Sequence, residues 1–303
     1  MTVMAGTVAA RVQYGAWRAV SAVVERMPAQ AAYALATGIG TTGYYLWPRA
    51  RRAMHSNYSR VLPGVPKTER HRVARRSLVN YCKYLVDFIR FPKLTPTAIV
   101  EAVEGAEEFA SLDRALNCGR GAVVVCMHFG NWDLGAGAAA ARGYPLTVVA
   151  ESFADDRLDA MVAGSRERLG MRLVKMEKAG PSLLRTLKAN GLLALLIDRA
   201  VPGDGVKVTF FDEEVEVPAG PARLALRTGA AVVAAAFVRS HPNRHEVKAH
   251  CDFSIRPQKT GDRDCDIRLL TQAIMSAHER FIRQYPDQWY MFRPMWESRG
   301  SGR

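Results

Sequence analysis

An apolar strand that runs directly into a histidine, with an aspartate five residues later, restricts this chain more than any other feature: residues 122–133 read AVVVCMHFGNWD. Residues 122–127 are apolar and rich in β-branched side chains, with Gly121 before them and Gly130 and Asn131 after, so they read as a buried strand. His128 then falls at the strand's carboxyl end, the edge where open α/β sheets bind ligands. Asn131 is placed to cap a helix whose first turn holds Asp133, and the turn is expected to fold that carboxylate back onto the imidazole. A carboxylate on one ring nitrogen fixes the tautomer and stabilises the imidazolium, leaving the other nitrogen to take a proton from a hydroxyl. Spacing alone leaves a second reading open, a satisfied core histidine beside an acid favoured by the helix dipole.

The rest of the chain from about residue 95 alternates helices and strands. Residues 107–117 read as a helix, Leu146–Ala150 as a strand, 155–169 as a helix, Arg172–Lys175 as a strand and 181–190 as a helix with proline at its start. Another buried strand follows at 192–197, then a hairpin from 206–211 to 214–217 across Asp212 and Glu213, a helix over 218–228 and a strand over 231–238. The pattern predicts an α/β fold, a central mostly parallel sheet flanked by helices. No repeat or linker divides it, so residues 53–303 read as one catalytic domain behind an amino-terminal helical attachment, residues 1–52.

Net charge is +13, and nearly all of it is at one end. Residues 1–90 carry 14 Lys and Arg against Glu25, Glu69 and Asp87, a net of +11; the remaining residues carry 28 basic and 26 acidic side chains. The same region holds a helix-like segment over 8–27 and a 17-residue uncharged run, 31–47, that ends in Tyr44, Tyr45 and Trp47 before Arg49, Arg51 and Arg52. That run is shorter than the roughly 20 apolar residues of a spanning helix and is broken by Gly38, Gly40 and Gly43. A helix pair lying in an anionic membrane interface fits better, rings at the headgroup level and guanidiniums on phosphates. Simple coverage of the core by small apolar helices is the other reading. A basic helix over 68–90 shows no module of the nucleic-acid readers, so no nucleic-acid partner is expected.

Five cysteines, Cys82, Cys118, Cys126, Cys251 and Cys265, form no CxxC pair, which argues against a disulfide framework and a zinc ribbon and favours a reducing setting. The start of the chain shows no secretory signal. His241, His245 and His250 fall on a loop and a strand and add no third ligand at helical spacing to His128 and Asp133, so no metal is expected. Cys126, two positions before His128, is read as buried and without a nucleophilic role.

The chain resembles the bacterial lipid A biosynthesis acyltransferase superfamily, and within it the phosphatidylinositol mannoside acyltransferases. The resemblance is carried by His128-Phe129-Gly130-Asn131-Trp132-Asp133, by Ala150-Glu151, by Arg166-Glu167-Arg168-Leu169-Gly170 and by Asp198-Arg199. Residues 218–225, PAGPARLA, and 289–296, WYMFRPMW, continue it in family order. It implies transfer of a fatty acyl chain from acyl-CoA or acyl carrier protein to a hydroxyl of a membrane glycolipid, at the cytoplasmic face of a bacterial plasma membrane, peripherally or monotopically. It implies His128 as general base, Asp133 orienting it, and Glu151, Arg166, Asp198 and Arg199 on the substrate side. The thiolate leaves readily because its thiol has a pKa of about 8.5, so no strong separate general acid is required, and the resemblance implies neither metal nor organic cofactor. One departure is Ala200, where an acid is expected directly after the Asp-Arg pair of mannose-acylating enzymes; lipid A precursors and lysophospholipids therefore stay open as acceptors. A non-catalytic basic membrane-binding protein would explain the charged third but not the His-Asp turn.

Overall fold

A computed structural model describes residues 8–176, 179–201 and 203–296; the first seven residues of the expected docking segment lie outside them. Four helices open the described chain, α1 (Val8–Arg26), α2 (Ala29–Leu46), α3 (Pro48–Val61) and α4 (Lys67–Arg90). The short α5 (Pro96–Glu101) and β1 (Val103–Glu104) lead to α6 (Ala110–Leu116), β2 (Ala122–Cys126), α7 (Trp132–Ala141) and β3 (Leu146–Ala150). Next come α8 (Asp156–Arg168), β4 (Arg172–Lys175), α9 (Ala179–Lys188) and β5 (Leu192–Leu196). The chain continues through the hairpin β6 (Gly205–Phe210) and β7 (Glu213–Pro218), then α10 (Gly220–Thr228), β8 (Ala231–Arg239), β9 (Val247–Asp252) and α11 (Arg263–Gln284).

Seven strands form the central sheet in the order β1-β9-β8-β2-β5-β3-β4, with β8 and β9 the antiparallel pair and the other neighbours parallel. The expected α/β class and mostly parallel sheet are what the chain adopts. Helices cover both faces, so the central strands are buried on both sides and read as continuous apolar runs. On one face Val123, Val125, Leu193 and Val232 pack with α3, α9, α10 and α11; on the other Val124, Cys126 and Leu192 pack with α4, α6, α7 and α8. The crossover from β2 through α7 skips one place to reach β3, and β5 later fills it. The loops leaving β2 and β5 therefore emerge side by side at the carboxyl edge, in the register that pairs Cys126 with Leu196.

Two local expectations are corrected. The stretch 107–117 is not one helix: a 3-10 turn over Ala106–Phe109 precedes α6. The hairpin turns on Phe211 and Asp212 rather than Asp212 and Glu213, both residues in the left-handed region at φ 51° and 62°, and Phe210 pairs with Glu213. A bulky residue is strained there. Phe211 is held by burial against Trp296 and by its N–H, which donates to Glu279 Oε2 at 3.1 Å.

Of the glycines of α2, Gly40 serves helix packing. A Cβ on Gly40 would lie 2.7 Å from the Val79 Cα, so the missing side chain is what lets α2 close on α4. No helix among the described residues is long and apolar enough to cross a membrane. The boundary expected after residue 52 falls inside α3, whose Ala50 and Met54 are buried in the main core.

Candidate active site

His128 and Asp198 each stand two residues beyond neighbouring parallel strands, β2 and β5, so the sheet register sets them side by side. His128 Nδ1 is 2.8 Å from Asp198 Oδ1, and the His128 backbone N–H donates to Asp198 Oδ2 at 3.0 Å. The carboxylate is fully buried, and the Trp289 indole N–H approaches the same Oδ2 at 3.4 Å. Burial alone would raise its pKa, but the adjoining imidazole and the hydrogen bonds from His128 outweigh that and hold it below the usual carboxylate range. With Nδ1 committed to Asp198, Nε2 is left for the cleft that His128 lines.

The loop carrying the histidine is fixed by the backbone. Gly130 N–H donates to Gln288 O at 2.9 Å, Asn131 N–H to Phe237 O at 2.7 Å, and Tyr290 N–H to His128 O at 2.8 Å. Gly130 sits at φ +61°, and a Cβ there would be driven into the Phe237 carbonyl, so only glycine fits. Asn131 caps α7 as the sequence predicts, its Oδ1 accepting from Leu134 N–H at 3.1 Å. Its amide donates to Asp87 Oδ2 at 3.0 Å, and Asp87 in turn forms a buried ion pair with Arg239 and accepts from the Tyr33 hydroxyl at 2.5 Å.

Asp133 stands in the first turn of α7, but its carboxylate does not meet the imidazole, contrary to the sequence expectation. It takes a bidentate pair from Arg166 of α8, Nε to Oδ1 at 2.7 Å and Nη2 to Oδ2 at 3.1 Å, and the Tyr84 hydroxyl donates to Oδ2 at 2.7 Å. Burial disfavours the guanidinium charge, yet Asp133 more than compensates and keeps Arg166 firmly protonated. Asp198, expected on the substrate side, instead holds the histidine. The reason is reach: β5 lies beside β2, whereas the α7 turn points Asp133 toward α4 and α8.

Trp132 bridges the two carboxylate centres, stacked on Tyr84 at 4.3 Å and edge-on to His128 at 5.3 Å. Glu151 and Arg199, leaving β3 and β5 at the same sheet edge, line the cleft with His128 and Arg166. The cleft encloses ≈ 1400 Å³ of empty space, part of it open to solvent, with Trp17 of α1 and Phe153 on its walls. It shares Trp132, Val149, Arg166, Leu195 and Leu196 with a narrow apolar chamber that passes between the sheet and α7, whose ≈ 720 Å³ of empty space is also partly open to solvent. Cys126 faces this chamber; burial pushes its thiol up to about 12, so it holds no thiolate, as the sequence reading expects. Among the described residues no group of three or more His, Cys, Asp and Glu is arranged to hold a metal ion.

Sequence reasoning missed Tyr84 and Trp289, whose only signals are aromatic residues in a helix and in the closing motif. It placed Asp198 at the correct edge without its partner, since the pairing spans 70 residues.

Residues 9–298 match the family model described as bacterial lipid A biosynthesis acyltransferase. The chain is 29% identical over 294 residues to a phosphatidylinositol mannoside acyltransferase of Mycolicibacterium smegmatis, covering 92% of this chain and 88% of that protein. It is 28% identical over 254 residues to a phosphatidylinositol mannoside acyltransferase of Mycobacterium tuberculosis, covering 80% of this chain and 76% of that one. A histidine held by a carboxylate in a cleft that adjoins an apolar chamber suits acyl transfer, and with a family match over nearly the whole length, the chain belongs to the bacterial lipid A biosynthesis acyltransferase family and is an acyltransferase.

Proposed function

We propose that the enzyme moves a fatty acyl group from a thioester, acyl-CoA or acyl carrier protein, to a hydroxyl of a glycolipid, in first place a phosphatidylinositol mannoside. The single observation that carries this reading is the His128–Asp198 pair opening into a cleft that continues as an apolar chamber. His128 Nε2 takes the proton of the acceptor hydroxyl as its oxygen attacks the thioester carbonyl carbon. Asp198 stabilises the imidazolium, a general-base contribution on the order of 10²- to 10⁴-fold. The tetrahedral intermediate then expels the thiolate, breaking the C–S bond, and the imidazolium returns its proton to the sulfur.

Arg199, half-buried on the cleft wall, is suited to the developing oxyanion or to a phosphate of either substrate. Arg166 is tied to Asp133, so its part is to fix the floor where chamber and cleft join. Glu151 is exposed at the rim, suited to sugar hydroxyls. No metal or organic cofactor enters the scheme. Ala200, where mannose-acylating relatives are expected to carry an acid, favours a second reading in which another glycolipid or a lysophospholipid is the acceptor.

The enzyme is proposed to work at the cytoplasmic face of the plasma membrane, docked through α1 and α2 without spanning it. Nine of the twelve exposed large apolar side chains among the described residues lie between Val8 and Trp47, which supports that orientation.

Purified protein incubated with palmitoyl-CoA and a panel of mannosylated inositol lipids, lipid A precursors and lysophospholipids tests the proposal. Thiol release with one acylated acceptor, lost in His128→Ala, is expected. Equal background in both proteins would overturn it.

A further inference from the structure

Outside the cleft, three polar rings converge on one point. Tyr44, buried at the end of α2, places its hydroxyl 2.8 Å from His55 Nε2 and 3.0 Å from His71 Nδ1. The imidazoles come from α3 and α4 and lie with centroids 3.8 Å apart. One hydroxyl serves both, donating to a neutral ring and accepting from the other, or accepting from both when both are protonated.

The surroundings are cationic. Arg51, Lys67 and Arg70 act electrostatically on both imidazoles, and Arg75 acts on Tyr44. Arg51, Arg70 and Arg75 are half-buried, yet none of the four cations has an ion-pair partner among the described residues. The nearby acid, Glu69, is taken by Arg72 at 2.9 Å. Burial and the neighbouring cations push His55 down to about 4 and His71 in the same direction. A phosphate oxygen brought to this cluster would meet several donors and positive charges at once.

What opposes them is indicated by the adjoining residues. Tyr45, Leu46 and Trp47 are exposed next to Tyr44, so an apolar and aromatic edge stands beside the cations, the sequence of chemistries met on passing from acyl chains to headgroup phosphates. Trp47 contacts Phe292 at 6.4 Å, and Phe292 contacts Tyr81 at 5.2 Å, which lines the catalytic cleft. Two ring contacts thus lead from Trp47, beside the cluster, to the cleft wall.

We propose that His55, His71, Arg51 and Arg70, with Lys67 and Arg75, form a binding site for the phosphodiester of a glycerophospholipid headgroup. The guanidiniums supply paired donors to its oxygens, and the imidazoles add charge by taking up protons as it binds. The site goes beyond the acyl-transfer reading and does not depend on which lipid accepts the acyl chain.

Two measurements on the full chain test it, and neither uses acyl transfer, so failure here is distinct from failure of the acyltransferase proposal. In histidine-labelled protein followed by NMR, glycerophosphoinositol, a soluble headgroup diester, is expected to shift the His55 and His71 signals together and raise both apparent pKa values. In sedimentation with phosphatidylcholine vesicles containing phosphatidylinositol, R70Q/R75Q is expected to bind about 25-fold more weakly, roughly fivefold per charge removed. H55Q/H71Q keeps hydrogen-bonding groups for Tyr44 and is expected to lose the pH dependence of vesicle binding. Imidazole signals that ignore glycerophosphoinositol would overturn the site even if vesicle binding fell, because that is diffuse attraction. A response to 3′,5′-adenosine diphosphate at lower concentration than to the headgroup diester would overturn the lipid assignment in favour of a nucleotide phosphate.

Discussion

His128 and Asp198 are joined twice, side chain to side chain at 2.8 Å and backbone N–H to carboxylate at 3.0 Å, so one buried acid sets both the loop and the tautomer of the histidine. Asp198→Asn keeps the shape but reverses the donor at one position, favouring the wrong tautomer. We expect kcat to fall by about 10²- to 10⁴-fold with KM little changed. Thiol release under saturating acyl-CoA checks it. Wild-type kcat in a folded Asp198→Asn protein would remove Asp198 from the mechanism.

Asp133 and Arg166 predict a different phenotype from the same chemical change. Asp133→Asn leaves a largely buried guanidinium without its counter-charge, at a cost of about 3 kcal/mol in unfolding free energy. Arg166→Gln in that background removes the orphaned charge and is expected to restore part of the loss. Urea denaturation of the two singles and the double gives the coupling. A variant as stable as wild type but inactive would mean that Asp133 acts on the reaction directly.

These two acids also show what the sequence carried. The strand into His128, the cap at Asn131 and the helix turn at Asp133 are local, written in β-branched runs, glycines and capping chemistry, and they formed as read. The partner of the imidazole was not legible, because parallel register between β2 and β5 decides it and no local spacing encodes that register. The same limit hid the converging rings of Tyr44, His55 and His71, which three helices bring together. The α3 and α11 helices went unread although both place buried residues at helical spacing, Ala50, Ala53, Met54, Tyr58 and Val61 in α3 and Ile267, Leu270, Ile274 and Met275 in α11. The hairpin turn was misplaced by one residue because burial of Phe211 overrode the preference of turns for small and polar residues.

Acid should weaken the fold through His278 as well as through carboxylates. This imidazole is buried beneath β2, within 3.1 Å of the Val125 carbonyl, and burial pushes its pKa down to about 4. In the unfolded chain it takes a proton near the ordinary 6.5. Between those values the unfolded state binds more protons, so stability is full above about pH 6.5 and declines as pH falls toward 4, by roughly 3 kcal/mol at most. His55, also displaced to about 4, adds in the same direction. Urea midpoints measured down the pH scale should show a shallower decline in His278→Gln, which keeps a donor for Val125 but does not titrate. An unchanged slope would mean that other groups govern acid unfolding.

The chamber beyond the histidine predicts control of acyl length. Sheet register pairs Ala235 of β8 with Cys251 of β9, and both line the chamber with Cys126 of β2, so it extends across the sheet from the residues it shares with the cleft toward Cys251. An acyl chain lying there must pass Ala235. Ala235→Leu fills that passage with an apolar side chain of comparable chemistry, which leaves the walls apolar while shortening the usable length. Each methylene that no longer fits forfeits about 0.8 kcal/mol, close to fourfold in preference. Mass spectrometry of products formed from mixed acyl-CoA donors should therefore show shorter chains favoured over the longest ones, with the total rate on short donors retained. An unaltered product distribution in a folded Ala235→Leu enzyme would place the acyl chain outside this chamber, along the open cleft beneath α1 instead.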